Sequence, residues 1–194
     1  VCIITIFLTL SVFSQERVRS LRPKYSSAMT VAGYVGGETL TNFPVAVRIS
    51  KDAIAGFDYE QCRGQDDISF SDANGMSLPC EIECWNTNGE SIAWVSLPSV
   101  STNSPATFTM NWKHSILPDD SNSTSIWTNA KYLGAWHFNS PYNPVATNYQ
   151  ANSAGNFDLA LYNNASISRV DNGVVGNAFL ASLSDSGSID LFTT

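Results

Sequence analysis

The sequence predicts an all-β protein: an antiparallel β-sandwich of the jelly-roll kind, followed by the opening of a second sandwich. Three observations carry this. The stretch from Asp66 to Leu97 reads as three short strands joined by two turn signals, Asp72-Ala73-Asn74-Gly75 and Asn86-Thr87-Asn88-Gly89. Apolar and polar residues alternate with period two in several runs, the mark of strands with one buried face. The chain of 194 residues is 43% hydrophobic and only 14% charged, with abundant Ser, Thr, Asn and Gly and no long helical pattern.

Taken in order, Val1 to Phe13 is a nearly uniform apolar run too short to cross a bilayer as a helix, and small Ser14 follows it. It reads as the apolar region of a secretory signal peptide (1–14) that lacks its basic leader. The expected location is therefore secreted, periplasmic or cell-surface. A basic, polar arm (15–24) comes next. The first sandwich is expected over 25–115, with Tyr25 to Val35 as a first strand and Leu40 to Ile49 as a second, in which Val45, Val47 and Ile49 share a face. Lys51 to Gln65 is a longer connection whose Phe57 and Tyr59 cover an edge of the core.

In the central meander, Ile68 and Phe70 point inward. Cys80, Ile82 and Cys84 are expected on one face of their strand, with Glu81, Glu83 and Trp85 on the other. Ser91 to Leu97 reads as a covered central strand that ends at Pro98. Thr107 to Trp112 is a strand burying Phe108, Met110 and Trp112. The polar stretch 116–130 reads as a linker, and 131–194 as the start of a truncated second domain with strands at 132–138, 157–162, 174–180 and 189–192.

The formal charge of −7, without a basic cluster, argues against nucleic acid as a partner. A glycan or an envelope protein is the expected partner, and membrane contact is expected only through the leader or regions beyond Thr194. Export makes a disulfide reasonable among Cys62, Cys80 and Cys84. Cys80 and Cys84 lie roughly 13 Å apart along one strand at ~3.3 Å per residue, too far to bond to each other. The expected bridge is Cys62–Cys80, with Cys62–Cys84 as the alternative.

Four ordered blocks carry a resemblance: Phe43-Pro44-Val45-Ala46-Val47-Arg48, then Asp66 to Gly75, then Leu78-Pro79-Cys80-Glu81-Ile82-Glu83-Cys84-Trp85, then Ala93-Trp94-Val95-Ser96-Leu97-Pro98. Over about residues 25–115 the chain resembles the domain of unknown function numbered 2341. The family's exit turn, aromatic-Gly-Asn, is replaced here by Asn111-Trp112-Lys113-His114. The remainder, with Trp127, Ala135-Trp136-His137-Phe138, Gly176 to Phe179 and Ser188 to Leu191, is similar to the start of a concanavalin A-like, laminin-G-type domain. The resemblance implies an extracytoplasmic module of a larger protein, in some relatives one ending in a proton-channel unit of the MotA/TolQ/ExbB type.

Glu81 and Glu83 are the weak candidates for catalysis, since alternate carboxylates about 6.5 Å apart on one strand suit two-carboxylate glycoside hydrolysis. The third acid of laminarinase-type enzymes is missing, because Cys84-Trp85-Asn86 stands in its place. A solvated strand face is therefore the default. Trp85 is the candidate sugar platform, and Trp94, Trp112, Trp127 and Trp136 are mainly core. His114 and His137 read as isolated structural histidines. Asp185 and Asp190 are candidate Ca²⁺ ligands in the second domain; no other cofactor is expected. The leading function is a non-catalytic module that binds glycan or protein or acts as a spacer; a glycoside hydrolase or its accessory domain, or the sensor part of an envelope energy-transducing protein, are the alternatives.

Overall fold

The computed structural model describes residues 23–102, 104–118, 123–138, 148–155, 159–161, 167–170, 178–181 and 189–191. The expected leader (1–14) and residues 15–22 of the expected arm (15–24) therefore lie outside the described residues, as does Asp185, while Pro23 and Lys24, expected in the arm, open the first strand. Seven strands build the first unit: β1 (Pro23–Val31), β2 (Leu40–Ile49), β3 (Ser69–Asp72), β4 (Ser77–Leu78), β5 (Cys80–Cys84), β6 (Ser91–Val100) and β7 (Ala106–His114). They form one antiparallel sheet in the order β1-β7-β3-β4 and a second in the order β2-β6-β5.

The two sheets face each other across one apolar core. Phe70, Phe108, Met110 and Trp112 come from the first, and Val47, Ile49, Ala93, Val95 and Leu97 from the second. Each of these is the inward member of an alternating strand, which is why the period-two pattern predicts them. Burial of each large side chain stabilises the fold by about 1.5–3 kcal/mol before conformational entropy is counted. Phe57 and Tyr59 close one edge, stacked edge-on at 4.9 Å between ring centres. The Tyr59 hydroxyl lies 2.6 Å from the Ile49 carbonyl and accepts the Ser91 N–H at 3.0 Å. The β3–β4 turn is set by Asp72, whose Oδ1 accepts the N–H groups of Asn74 and Met76, with Gly75 at φ 81°.

Several expected boundaries move, among them those of the first strand, which runs Pro23–Val31 and not Tyr25–Val35. Pro98 does not end β6, which continues to Val100. The ladder to β2 instead skips one step, because Thr41 pairs with Ser99 and Phe43 with Leu97, leaving Pro98 opposite Asn42 at φ 50°. The missing donor thus falls where the partner strand also leaves the ladder. Within the stretch read as a linker, Ser123–Asn129 forms a helix, α1, with Ile126 and Trp127 buried.

Beyond α1 the expected strand at 132–138 is absent. Its backbone is instead held by Asn152, whose Oδ1 accepts the Ala135 N–H at 2.9 Å, and by the Ser153 N–H donating to the Ala135 carbonyl at 2.9 Å. Short strands follow: β8 (Asn148–Gln150), β9 (Leu159–Leu161), β10 (Ile167–Val170), β11 (Ala178–Ala181) and β12 (Ile189–Leu191). They pair antiparallel as β12-β9-β8 and β10-β11. Asp190 is in β12, in register with Ala160.

Candidate carboxylate–imidazole site

The site is created by an irregularity in β5. Glu81 pairs with Trp94 and Ile82 with Ala93, but Cys84, not Glu83, pairs with Ile92. The extra residue is a β-bulge at Glu83, and it reverses the side-chain alternation beyond it. Cys84 joins Trp94 and Ile92 on the outer face, while Trp85 turns to the core side, where it meets Tyr59 edge-on at 5.1 Å. Trp85 is therefore not on the glutamate face, contrary to the simple alternation.

Glu81 and Glu83 remain together on the outer face, and that face is covered. Helix α1 and residues 132–138 and 150–155 lie across it, and Ile126, Trp127 and Ala154 form a second small core with Trp94 and Ala135 packed against them. His137 sits between the two carboxylates. Its Nδ1 is bound to Glu83 Oε2, and its Nε2 faces Glu81 Oε2 at 3.3 Å as an ion pair off the line of an aligned hydrogen bond.

Indole donors complete the set. Trp94 Nε1 donates to Glu83 Oε2 at 2.9 Å, Trp127 Nε1 to Glu81 Oε2 at 2.6 Å, and Ser153 Oγ to Glu81 Oε1 at 2.7 Å. The Trp127 ring lies 5.5 Å from the imidazole and 5.4 Å from Trp94. The side chains are only 3% exposed for Glu83, 14% for His137 and 19% for Glu81.

Burial opposes a charged imidazole, but the adjoining glutamates outweigh it and raise His137 to about 9. Burial likewise pushes the Glu81 carboxyl up, while the contacts from His137, Trp127 and Ser153 prevail and hold it below the ordinary carboxylate value. At neutral pH the site is an imidazolium shared between carboxylates. Such a group stabilises the arrangement only because every charge is partnered.

A second cluster ties the end of β7 to the loop before β3. Asp67 is fully buried; its Oδ1 accepts the His114 N–H at 2.9 Å and its Oδ2 the Arg63 N–H at 3.1 Å. Burial raises its carboxyl, and these bonds from His114 and Arg63 outweigh that and hold it low. His114 Nε2 lies 3.1 Å from Ser69 Oγ, and Nδ1 lies 2.9 Å from the Asp67 carbonyl oxygen and 3.3 Å from its Oδ1. Ser69, His114 and Asp67 thus stand in the order of a hydrolase relay. The carboxylate, however, is occupied by backbone donors, and the nearest acceptor of the imidazole is a carbonyl. The arrangement closes a loop.

The expected disulfide is not formed: no bridge joins Cys62, Cys80 and Cys84. Cys80 faces the core as the alternation predicts, while the bulge has moved Cys84 to the opposite face, which removes the alternative bridge. Burial pushes the Cys62 thiol up to about 12 and raises Cys84 as well, which keeps both protonated at neutral pH.

A cleft of about 510 Å³ opens between edge strands β1 and β2, lined by residues including Met29, Val45, Arg48 and Ile54, and none of the glutamates reaches it. Among the described residues, no group of three or more His, Cys, Asp or Glu side chains is placed to hold a metal ion. Also among them, no helix is long and apolar enough to cross a membrane.

Sequence reasoning found the two glutamates but missed what they bind. His137, Trp127 and Ser153 come from three separate places in the chain, and the only local signal was an apolar Ala135-Trp136-His137-Phe138 run with one charged-capable residue inside it.

No curated protein and no solved structure matches the chain. Residues 64–139 match the family model described as Domain of unknown function (DUF2341), a range that begins ahead of β3, takes in the 116–130 stretch and α1, and ends just past His137.

Proposed function

We propose that the chain is a non-catalytic β-sandwich module of a larger exported protein, a rigid unit that presents glycan- or protein-binding surface or spaces its neighbours. One observation supports this above the others. The carboxylates that invited a catalytic reading are spent on internal partners: Glu83 on His137 and Trp94, Glu81 on His137, Trp127 and Ser153. A hydrolytic pair needs one carboxyl free to donate a proton and the other facing the sugar or a water. Here both face the protein's own side chains. The apolar leader-like run at the N-terminus is the support for export.

Assay of the purified chain on β-glucans, beside a glycan array and capture from envelope extract, tests this reading. Binding without turnover agrees with it. Turnover abolished by Glu81→Gln, with the fold intact by circular dichroism, would replace it with the glycoside hydrolase alternative.

A further inference from the structure

We propose that His137 is the charged pin of a latch: held between Glu81 and Glu83, it fastens a strap made of α1 and residues 132–138 and 150–155 across the outer face of the β2-β6-β5 sheet, and this strap lifts when the pin loses its proton while the sandwich beneath stays folded. The inference goes beyond a binding or spacer role and concerns how the module is held together.

The geometry places a seam between two cores. The sandwich core lies between the sheets and contains the largest side chains, Trp112, Phe70, Ile49 and Met110. Among the described residues, the strap is secured by a much smaller set of buried apolar side chains, Ile126, Trp127 and Ala154. His137, Trp127 and Ser153 tie it to the two glutamates, and Asn42 of β2 adds a long bond of 3.5 Å from its Nδ2 to the Asn129 carbonyl. A neutral imidazole carries one N–H, so one carboxylate must lose its donor. The two carboxylates, side by side on one strand, would then face each other without a cation, which in a water-poor site costs more than the small apolar seam supplies.

Among the described residues, the groups around the pin include no second cation that could replace it. From β5 come Glu81, Glu83 and the Cys84 thiol, and from β6 the uncharged Trp94 and Ile92. Helix α1 has no ionisable side chain, and neither do residues 150–155. Lys131 and Tyr132, in the turn after α1, are exposed. Arg48, on the neighbouring β2, is paired with Glu90. The raised proton affinity of His137 puts the release on the alkaline side, in the region of pH 9.

Amide exchange of the whole chain, expressed as protection factors so that base catalysis is removed, tests the latch. The strap reporters are the N–H groups of Tyr132, Ala135 and Ser153, bonded to Trp127, Asn152 and Ala135 respectively. Between pH 7 and pH 10 their protection should fall at least tenfold while the amides of β6 and β7 keep theirs. In His137→Gln the strap should already be open at pH 7. Equal strap protection at both pH values in the unaltered chain would overturn the latch, as would loss of strap and sandwich protection together. The pH series needs no variant, so a poorly folding His137→Gln leaves the test intact.

Discussion

The indole of Trp127 donates its N–H to Glu81 Oε2 at 2.6 Å, joining a short helix to a strand that precedes it by more than forty residues. The helix by itself has little reason to form, since its sequence STSIWTN is rich in β-branched and hydroxyl residues of modest helix propensity. Its stability comes from what it docks against, and the docking surface is the carboxylate-bearing face of the second sheet.

Truncating Trp127 should therefore melt α1 without unfolding the sandwich. Trp127→Ala removes a buried ring and leaves Glu81 short of a donor, for an expected loss of about 3 kcal/mol from the strap. Cleavage by a protease within 115–135 should rise sharply. The cooperative unfolding of the sandwich, followed by the β-sheet signal in far-ultraviolet circular dichroism, should move little.

The pH profile of stability follows from two opposed shifts. His137 is raised above its unfolded value of about 6.5, so its contribution is fully present below that pH and is lost as pH climbs toward about 9. The shift corresponds to roughly 3 kcal/mol. Glu81 and Asp67 are lowered, so their contributions are present above the ordinary carboxylate range and vanish as acid protonates the folded form. Thermal scans should show a plateau from about pH 5 to 6.5 and a decline on both sides.

Asp67→Ala should be among the most damaging single changes. The carboxylate is fully buried and accepts from the backbone of both His114 and Arg63. Its removal strands those donors and should cost about 3 kcal/mol or more in urea denaturation. Tyr59→Phe, which deletes only the hydroxyl shared by Ile49 and Ser91, should cost about 1–2 kcal/mol.

The thiols give a simple check. A chain purified without reductant should react, once denatured, with about four equivalents of thiol reagent, at Cys2, Cys62, Cys80 and Cys84, and added reductant should leave its melting temperature unchanged. A melting temperature lowered by reductant would show that the chain carries a bridge in solution.

The sandwich itself was largely legible in the residues. Val45, Val47 and Ile49, Phe108, Met110 and Trp112, and the Asp72 to Gly75 turn all obey local rules of alternation and turn chemistry, and they are where those rules put them. What failed was whatever depends on a distant partner. The bulge at Glu83 is a matter of register against β6, so it does not show in β5 read by itself, yet it exchanges the faces of Cys84 and Trp85. The helix at Ser123–Asn129 has weak propensity and was read as a linker. His137 looked isolated because Glu81 and Glu83 lie far back along the chain, and only the fold brings them together.

The account rests on a protonated His137 between two glutamates, and an NMR titration of its imidazole measures that directly. The chain has two histidines, so the resonance missing from His137→Gln identifies it. The account predicts a midpoint near 9, with the ring charged throughout neutral pH. A midpoint near the ordinary 6.5 would contradict it, because the ring would then be free of the glutamates in solution.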